Sequence, residues 1–171
     1  MNNILETVKN LREITGAGFL DCKKALLENN NDIDASIDYL RKKGLSKASK
    51  KSSREAKEGA VGIYADNKKT IIIKINSETD FAAKSKTFLE FLDRIGKIAL
   101  TIEDNLKKDN FLDVVYDGKK VSEFFTEIIS VIGENIILGN IETIEHKEFQ
   151  TNYYVHNPYK PHIGKIISFL V

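Results

Sequence analysis

Cysteine is nearly missing from this chain: Cys22 is the only one in 171 residues. That count excludes an internal disulfide and points to a reducing compartment. Long apolar runs are missing as well. No stretch approaches membrane-spanning length, and Met1-Asn2-Asn3 opens directly into an amphipathic segment without the apolar core of a secretory signal, so no membrane partner and a cytoplasmic location are expected. Charge of one sign is also lacking. The 26 basic and 25 acidic residues leave a net charge of +1, which is no nucleic-acid-like footprint, and no direct nucleic-acid partner is expected. A Gly-rich phosphate loop ending in Lys-Ser or Lys-Thr is absent, which argues against nucleotide binding by the chain itself. His146, His156 and His162 lack metal-ligand spacing and have no second cysteine to join them; they read as surface or strand histidines, and no metal or cofactor is expected. Glu78 and Asp80 have no nucleophile or cofactor motif beside them and read as recognition groups, so covalent catalysis is not expected.

What is present is clear periodicity. Ile4, Leu5, Val8 and Leu11 fall on one helical face, Thr15-Gly16-Ala17-Gly18 breaks that helix, and Leu20 to Leu27 supplies a second. Asn29-Asn30-Asn31 ends it, Asp32 caps a third helix carrying Ile33, Ile37 and Leu40, and Gly44 is expected to close that one. Residues 1–44 therefore read as a small three-helix bundle, similar in shape and in its glycine-containing first turn to a ubiquitin-associated domain. Residues 45–58 read as a solvated, partly helical linker. From Arg41 to Glu58 the basic residues are Arg41, Lys42, Lys43, Lys47, Lys50, Lys51, Arg54 and Lys57, against Glu55 and Glu58. An RNA-binding or ribosome-binding arm is the alternative, weakened because no aromatic residue interleaves these charges.

A second unit starts at Gly59. Ala60–Ala65 and Thr70–Asn76 flank Asp66-Asn67-Lys68-Lys69 as a hairpin, and a helix with Phe88, Leu92, Ile95 and Ala99 on one stripe follows from Thr79 or Ser85. The pattern is poor from Asn105 to Lys120 apart from a turn at Asp117-Gly118. A helix through Val121, Phe124, Phe125, Ile128 and Ile132 stops near Gly133, and a strand runs from Asn135 to Ile144. Two more strands, Tyr153–His156 and Ile163–Val171, are expected across an Asn157–Pro161 loop. Residues 59–145 read as one core subdomain and 146–171 as the incomplete start of another. The class is α+β with an antiparallel sheet packed by helices, because the strands come in hairpins.

The strand Ile71–Ile75 runs into Asn76-Ser77-Glu78-Thr79-Asp80-Phe81, so a phenyl group stands beside a carboxylate where an apolar strand stops. Phe81 either folds back onto its own core or serves as an exposed anchor for a partner. Two further blocks bear on that choice: Leu11-Arg12-Glu13-Ile14-Thr15-Gly16-Ala17-Gly18-Phe19-Leu20-Asp21-Cys22-Lys23-Lys24-Ala25-Leu26 and Ile132-Gly133-Glu134-Asn135. Together and in this order the three blocks resemble the elongation factor Ts family, with the similarity running from about Leu5 onward and weakest from Lys107 to Lys120.

The resemblance implies a translation elongation factor: a guanine nucleotide exchange factor for elongation factor Tu, the GTPase that delivers aminoacyl-tRNA to the ribosome. In that family the Asp and Phe of a Thr-Asp-Phe motif intrude near the GTPase's magnesium and phosphate site, which maps onto Thr79, Asp80 and Phe81, with Ile132 and Gly133 flanking the wedge. Arg12, Phe19 and Leu20 match an Arg and an apolar pair that touch the GTPase through the N-terminal module, and His156 matches a histidine that reaches it from the second half of the core. Phe19 and Leu20 also read as bundle core, and Ile132 as helix core. The sequence departs from the pattern at Ala82, where Val is usual, and at Phe19-Leu20, where two methionines are common. Longer members continue well past the position of Val171, so either a fragment or a minimal form that completes its sheet by self-association is expected, through an edge left open by the last strand. The rival from another class is a non-catalytic adaptor that docks peptides on the N-terminal bundle.

Overall fold

The computed structural model describes residues 4–103, 106–146 and 152–170. Asn105, residues 147–151 of the expected last segment, and the expected strand end at Val171 lie outside the described residues.

Helix α1 (Ile4–Thr15) buries Val8 and Leu11 and ends where Gly16, at φ 65°, donates its N–H to the Arg12 carbonyl at 2.8 Å. Left-handed φ is accessible to glycine without steric cost. Helix α2 (Phe19–Glu28) ends at Asn29, and Asn30 and Asn31 turn the chain at φ 52° and 60°, a region asparagine tolerates better than most residues. Asp32 then accepts the Ala35 N–H at 2.9 Å and caps helix α3 (Ile33–Lys51). Val8, Leu11, Cys22, Ala25, Leu26 and Leu40 form the bundle core. Phe19 and Leu20 are not part of it, being 39% and 78% exposed.

Gly44 does not close α3. The helix continues for seven residues more, and a Cβ placed on Gly44 would sit 3.5 Å from Ser130 Cβ on a later helix. Glycine here permits close helix approach, which outweighs its poor helix propensity of about 1 kcal/mol. The expected linker is accordingly helical to Lys51.

Strands β1 (Glu58–Ala65) and β2 (Lys69–Ser77) form the expected hairpin, paired from Glu58 with Ser77 to Ala65 with Thr70. Two helices follow in tandem, α4 (Asp80–Lys84) and α5 (Lys86–Thr101), the latter burying Phe88, Leu92, Ile95 and Ala99. The weakly patterned segment holds α6 (Lys108–Phe111) and a ribbon, β3 (Val115–Tyr116) and β4 (Lys119–Lys120), turned at Asp117 and Gly118 with φ 52° and 75°. It also contributes Leu106 and Phe111 to the core. Helix α7 (Val121–Ile132) is followed by β5 (Ile137–Glu145), β6 (Asn152–Lys160) and β7 (Ile163–Leu170).

The sheet is antiparallel throughout, in the order β5-β2-β1-β7-β6. Alternation along β2 turns Ile71, Ile73 and Ile75 into the core they share with Leu92 and Ile95 of α5 and Phe125 and Ile128 of α7. Against α5 lies the buried Tyr64, whose hydroxyl donates to the Leu92 carbonyl at 3.2 Å. The expected Asn157–Pro161 loop is strand as far as Lys160, and the chain turns only at Pro161 and His162: Pro158 pairs with Gly164 and Lys160 with Ile163 across a bulge. Proline is admitted there because β6 is an edge strand. The outer strands of the sheet are β5 and β6; β7 pairs with β6 as far as Leu170 but with β1 only at Ile163 and Gly164, so among the described residues its β1-facing side carries no registered strand pairing from Lys165 to Leu170. Among the described residues no helix is long and apolar enough to cross a membrane.

Candidate partner-binding site

The corner between β2 and α5 is built by two hydroxyl caps. Thr79, extended at φ −123° and ψ 156°, accepts the Ala82 N–H at 3.2 Å and starts α4. Six residues later Ser85 donates to the Ala82 carbonyl at 2.8 Å and accepts the Phe88 N–H at 3.2 Å, ending α4 and starting α5 with one side chain. Ala82 and Ala83 face the core. With that face taken, Phe81 points outward and is 84% exposed. The reading in which Phe81 folds onto its own core is thereby excluded. Ala82, where Val is usual in the family resembled, is itself buried.

Asp80 Oδ2 accepts from Lys84 Nζ at 2.8 Å, which holds its carboxyl below the usual range. Both side chains are about half exposed, and such an i,i+4 pair is weak enough to exchange partners. Glu78, by contrast, is not a free recognition group. Its Oε1 accepts the Asn135 N–H at 2.6 Å and its Oε2 lies 3.5 Å from Arg54 Nη1.

The structure brings the second and third sequence blocks together. Gly133, left-handed at φ 83°, ends α7 by donating to the Ile129 carbonyl at 2.9 Å. Reversal of the chain at Gly133 delivers Glu134 to Thr79: Oε2 accepts the Thr79 N–H at 3.0 Å and Oε1 the Thr79 hydroxyl at 2.7 Å. Ile132 is half-buried against the core and Gly133 is exposed. From the basic segment, Lys51 Nζ donates to the Gly133 carbonyl, and the Arg54 carbonyl accepts from Asn135 Nδ2 at 2.7 Å. Arg54, Glu134 and Asn135 had no role in the sequence reading; the Ile132–Asn135 block was the available signal for the last two.

The remaining expected residues lie elsewhere. Arg12, Phe19 and Leu20 are exposed on the bundle, beside Ile14 at 56% exposure. His156 is exposed on β6 with its ring 6.2 Å from that of Tyr154. Among the described residues no hydrogen bond or ion pair joins these four side chains to the Thr79–Phe81 corner.

Most of the basic segment is engaged within the chain. Lys43 and Lys47 reach Asp21 at 2.8 and 2.7 Å, and these hydrogen bonds hold that carboxyl below the usual range. Arg41 lies 3.7 Å from Glu123, and Lys57 is 2.7 Å from Glu55. Among the described residues no group of three or more His, Cys, Asp or Glu is placed to hold a metal ion.

A family model described as "Elongation factor TS" matches residues 78–170. Among curated relatives, elongation factor Ts of Rhodospirillum centenum is 40% identical over 159 residues, which is 93% of this chain and 52% of that protein. The corresponding proteins of Rhizobium meliloti and Rickettsia prowazekii are each 42% identical, again over 93% of this chain and over 52% and 51% of their own lengths. The chain thus spans about half the length of the curated relatives it matches. With the family model covering more than half of the residues, from the tie at Glu78 to the last described strand, the chain belongs to the elongation factor Ts family.

Proposed function

We propose that the chain is a translation elongation factor that acts as a guanine nucleotide exchange factor on elongation factor Tu. The observation that carries the reading is Phe81: a phenyl ring 84% exposed on a corner whose Thr79 backbone is held by Glu134 and Ser77. A rigidly presented aromatic binds without a large ordering cost. A GTPase holds GDP through a phosphate loop and a magnesium ion that bridges protein and phosphate oxygens. Insertion of Phe81, with Asp80 released from Lys84, into the helices next to that ion weakens its hold and speeds GDP release. In this reading Ile132 and Gly133 contact the partner beside the wedge, and no covalent step is involved. By reciprocity the chain binds nucleotide-free elongation factor Tu more tightly than the GDP form by the factor by which it weakens GDP.

Arg12, Phe19 and Leu20 are the docking residues of the bundle in this reading, and His156 of the edge strand. Self-association through the incomplete sheet edge, along β7 beyond Gly164, is a separate, compatible proposal. The same function places the chain in the cytoplasm, without direct nucleic-acid contact; the internal engagement of the basic segment supports that part. A peptide-docking adaptor would use the exposed apolar residues of the bundle but gives Phe81 nothing to do. The test is to mix the chain with elongation factor Tu loaded with fluorescent GDP and record release. Acceleration that rises and saturates with chain concentration supports exchange; unaccelerated release overturns it.

A further inference from the structure

Thr79 carries the wedge-bearing helix, and every polar group it has is engaged. Its N–H donates to Glu134 Oε2 at 3.0 Å. The carbonyl accepts from the buried Ser77 hydroxyl at 2.8 Å and from the Ala83 N–H at 3.3 Å. Its hydroxyl donates to Glu134 Oε1 at 2.7 Å and accepts from the Ala82 N–H at 3.2 Å. A hydroxyl has one proton. Once that proton points to Glu134, a lone pair must face Ala82, so the carboxylate selects the hydroxyl orientation that caps α4.

The arrangement is reciprocal. Glu78 takes the N–H of Asn135, the residue after Glu134, while Glu134 takes the N–H of Thr79, the residue after Glu78. Each chain segment gives the other a carboxylate and receives one. Arg54, 3.5 Å from Glu78, offsets the proximity of two negative groups. Isolated, a five-residue helix does not hold its shape, because nucleation is costly and propagation has no length to repay it. α4 has five residues. Its geometry, and with it the direction of Phe81, is therefore imposed from outside.

We infer that Glu134 is a positioning residue that, through a carboxylate clamp shared with Glu78, fixes the Thr79 cap and thereby aims Phe81. The inference rests on the exchange reading only for its functional consequence; its structural part stands alone. Glutamine at 134 tests it sharply. It matches glutamate in size but offers one acceptor oxygen, and its amide nitrogen would oppose one of the two Thr79 donors. A space-filling role is indifferent to that change, and a clamp is not.

The experiment uses the full chain with Glu134→Gln and Glu134→Ala, each alone and combined with Phe81→Ala. Amide hydrogen exchange, followed by NMR, should speed up at Ala82 and Ala83 by roughly fivefold, the scale of one lost net hydrogen bond, with Ile73 and Leu92 unchanged. Against elongation factor Tu carrying fluorescent GDP, the saturating release rate should fall by a similar factor at unchanged half-saturating concentration. In the Phe81→Ala background that second loss should vanish, since Glu134 acts through the ring. Wild-type protection at Ala82 and Ala83 in both variants overturns the inference, as does an equal loss with and without Phe81. A silent Phe81→Ala would instead remove Phe81 as the wedge of the exchange reading, and the amide data would still decide the clamp.

Discussion

Phe81→Ala separates a wedge from a core residue, and its magnitude follows from exposure. Full burial of a phenylalanine is worth about 1.5–3 kcal/mol. With 84% of the residue already exposed, about one-sixth of that is realised within the chain, or roughly 0.2–0.5 kcal/mol. Alanine recovers about as much through its better helix propensity, on the order of 0.5 kcal/mol. The net effect on stability is close to zero. For a domain of this size, where 1 kcal/mol moves Tm by about 2–4 °C, the melting temperature should shift by no more than about 1–2 °C.

Against elongation factor Tu the balance is reversed, because the exposed area is what a pocket would bury. Losing even the lower figure of about 1.4 kcal/mol slows release tenfold, and truncation of a central aromatic anchor commonly costs about 2 kcal/mol or more. At saturating chain, release of fluorescent GDP should therefore slow at least tenfold, and Phe81→Leu should fall between alanine and wild type. A Phe81→Ala protein with unchanged melting and unchanged release would refute the reasoning. One that melts several degrees lower would show that the ring is packed within the chain after all.

Phe19→Ala with Leu20→Ala should, if the proposed exchange function holds, raise the concentration needed for half-maximal GDP release and leave the saturating rate intact, because that proposal gives these exposed residues a docking role apart from the Thr79–Phe81 corner. Gly96→Ala in α5 should destabilise the chain by about 1–3 kcal/mol in urea unfolding, reversing the usual gain of alanine in a helix, because the new Cβ would lie 2.0 Å from Tyr64 Cε2. Asp21 is depressed by its hydrogen bonds to Lys43 and then Lys47, so its stabilisation is present above the unfolded carboxyl range near pH 4 and is lost as pH falls through the lower folded value. Thermal melts between about pH 3 and pH 7 should accordingly show a shallower acid decline in Asp21→Asn than in wild type.

Elements with a strong period or a specific cap were legible in the sequence. Asp32 starts α3, Gly133 ends α7, and Asp117-Gly118 turns a two-residue hairpin, each at its expected position. Local signals failed where tertiary contact overruled them. Gly44 carries the mark of a helix end but serves the approach of α3 to Ser130, and Pro158 marks a loop yet sits in a bulged edge strand, while Pro161 does lie in the turn. The outward aim of Phe81 was not legible, because a helix of five residues has no period from which to read a face. Nor were its supports: Thr79 and Glu134 are 55 positions apart, and Arg54 and Asn135 are 81 apart. Pairings at such separations leave no mark on a single sequence.

Helix α3 changes how the two halves of the chain relate. A flexible basic linker would supply only effective concentration, keeping the wedge near a partner that the bundle had found. Instead, a helix of 19 residues, about 28 Å long, runs out of the bundle and ends where Lys51 reaches the Gly133 carbonyl. Three residues on, Arg54 holds Glu78 through its guanidinium and Asn135 through its carbonyl. Two of the cations that suggest a nucleic-acid arm, Lys51 and Arg54, thus join α3 and the segment after it to the support of the Thr79–Phe81 corner. Under the exchange reading, the orientation in which the bundle docks also sets the direction from which Phe81 approaches. Affinity then comes from presenting both surfaces in one geometry, which lowers the ordering cost of binding.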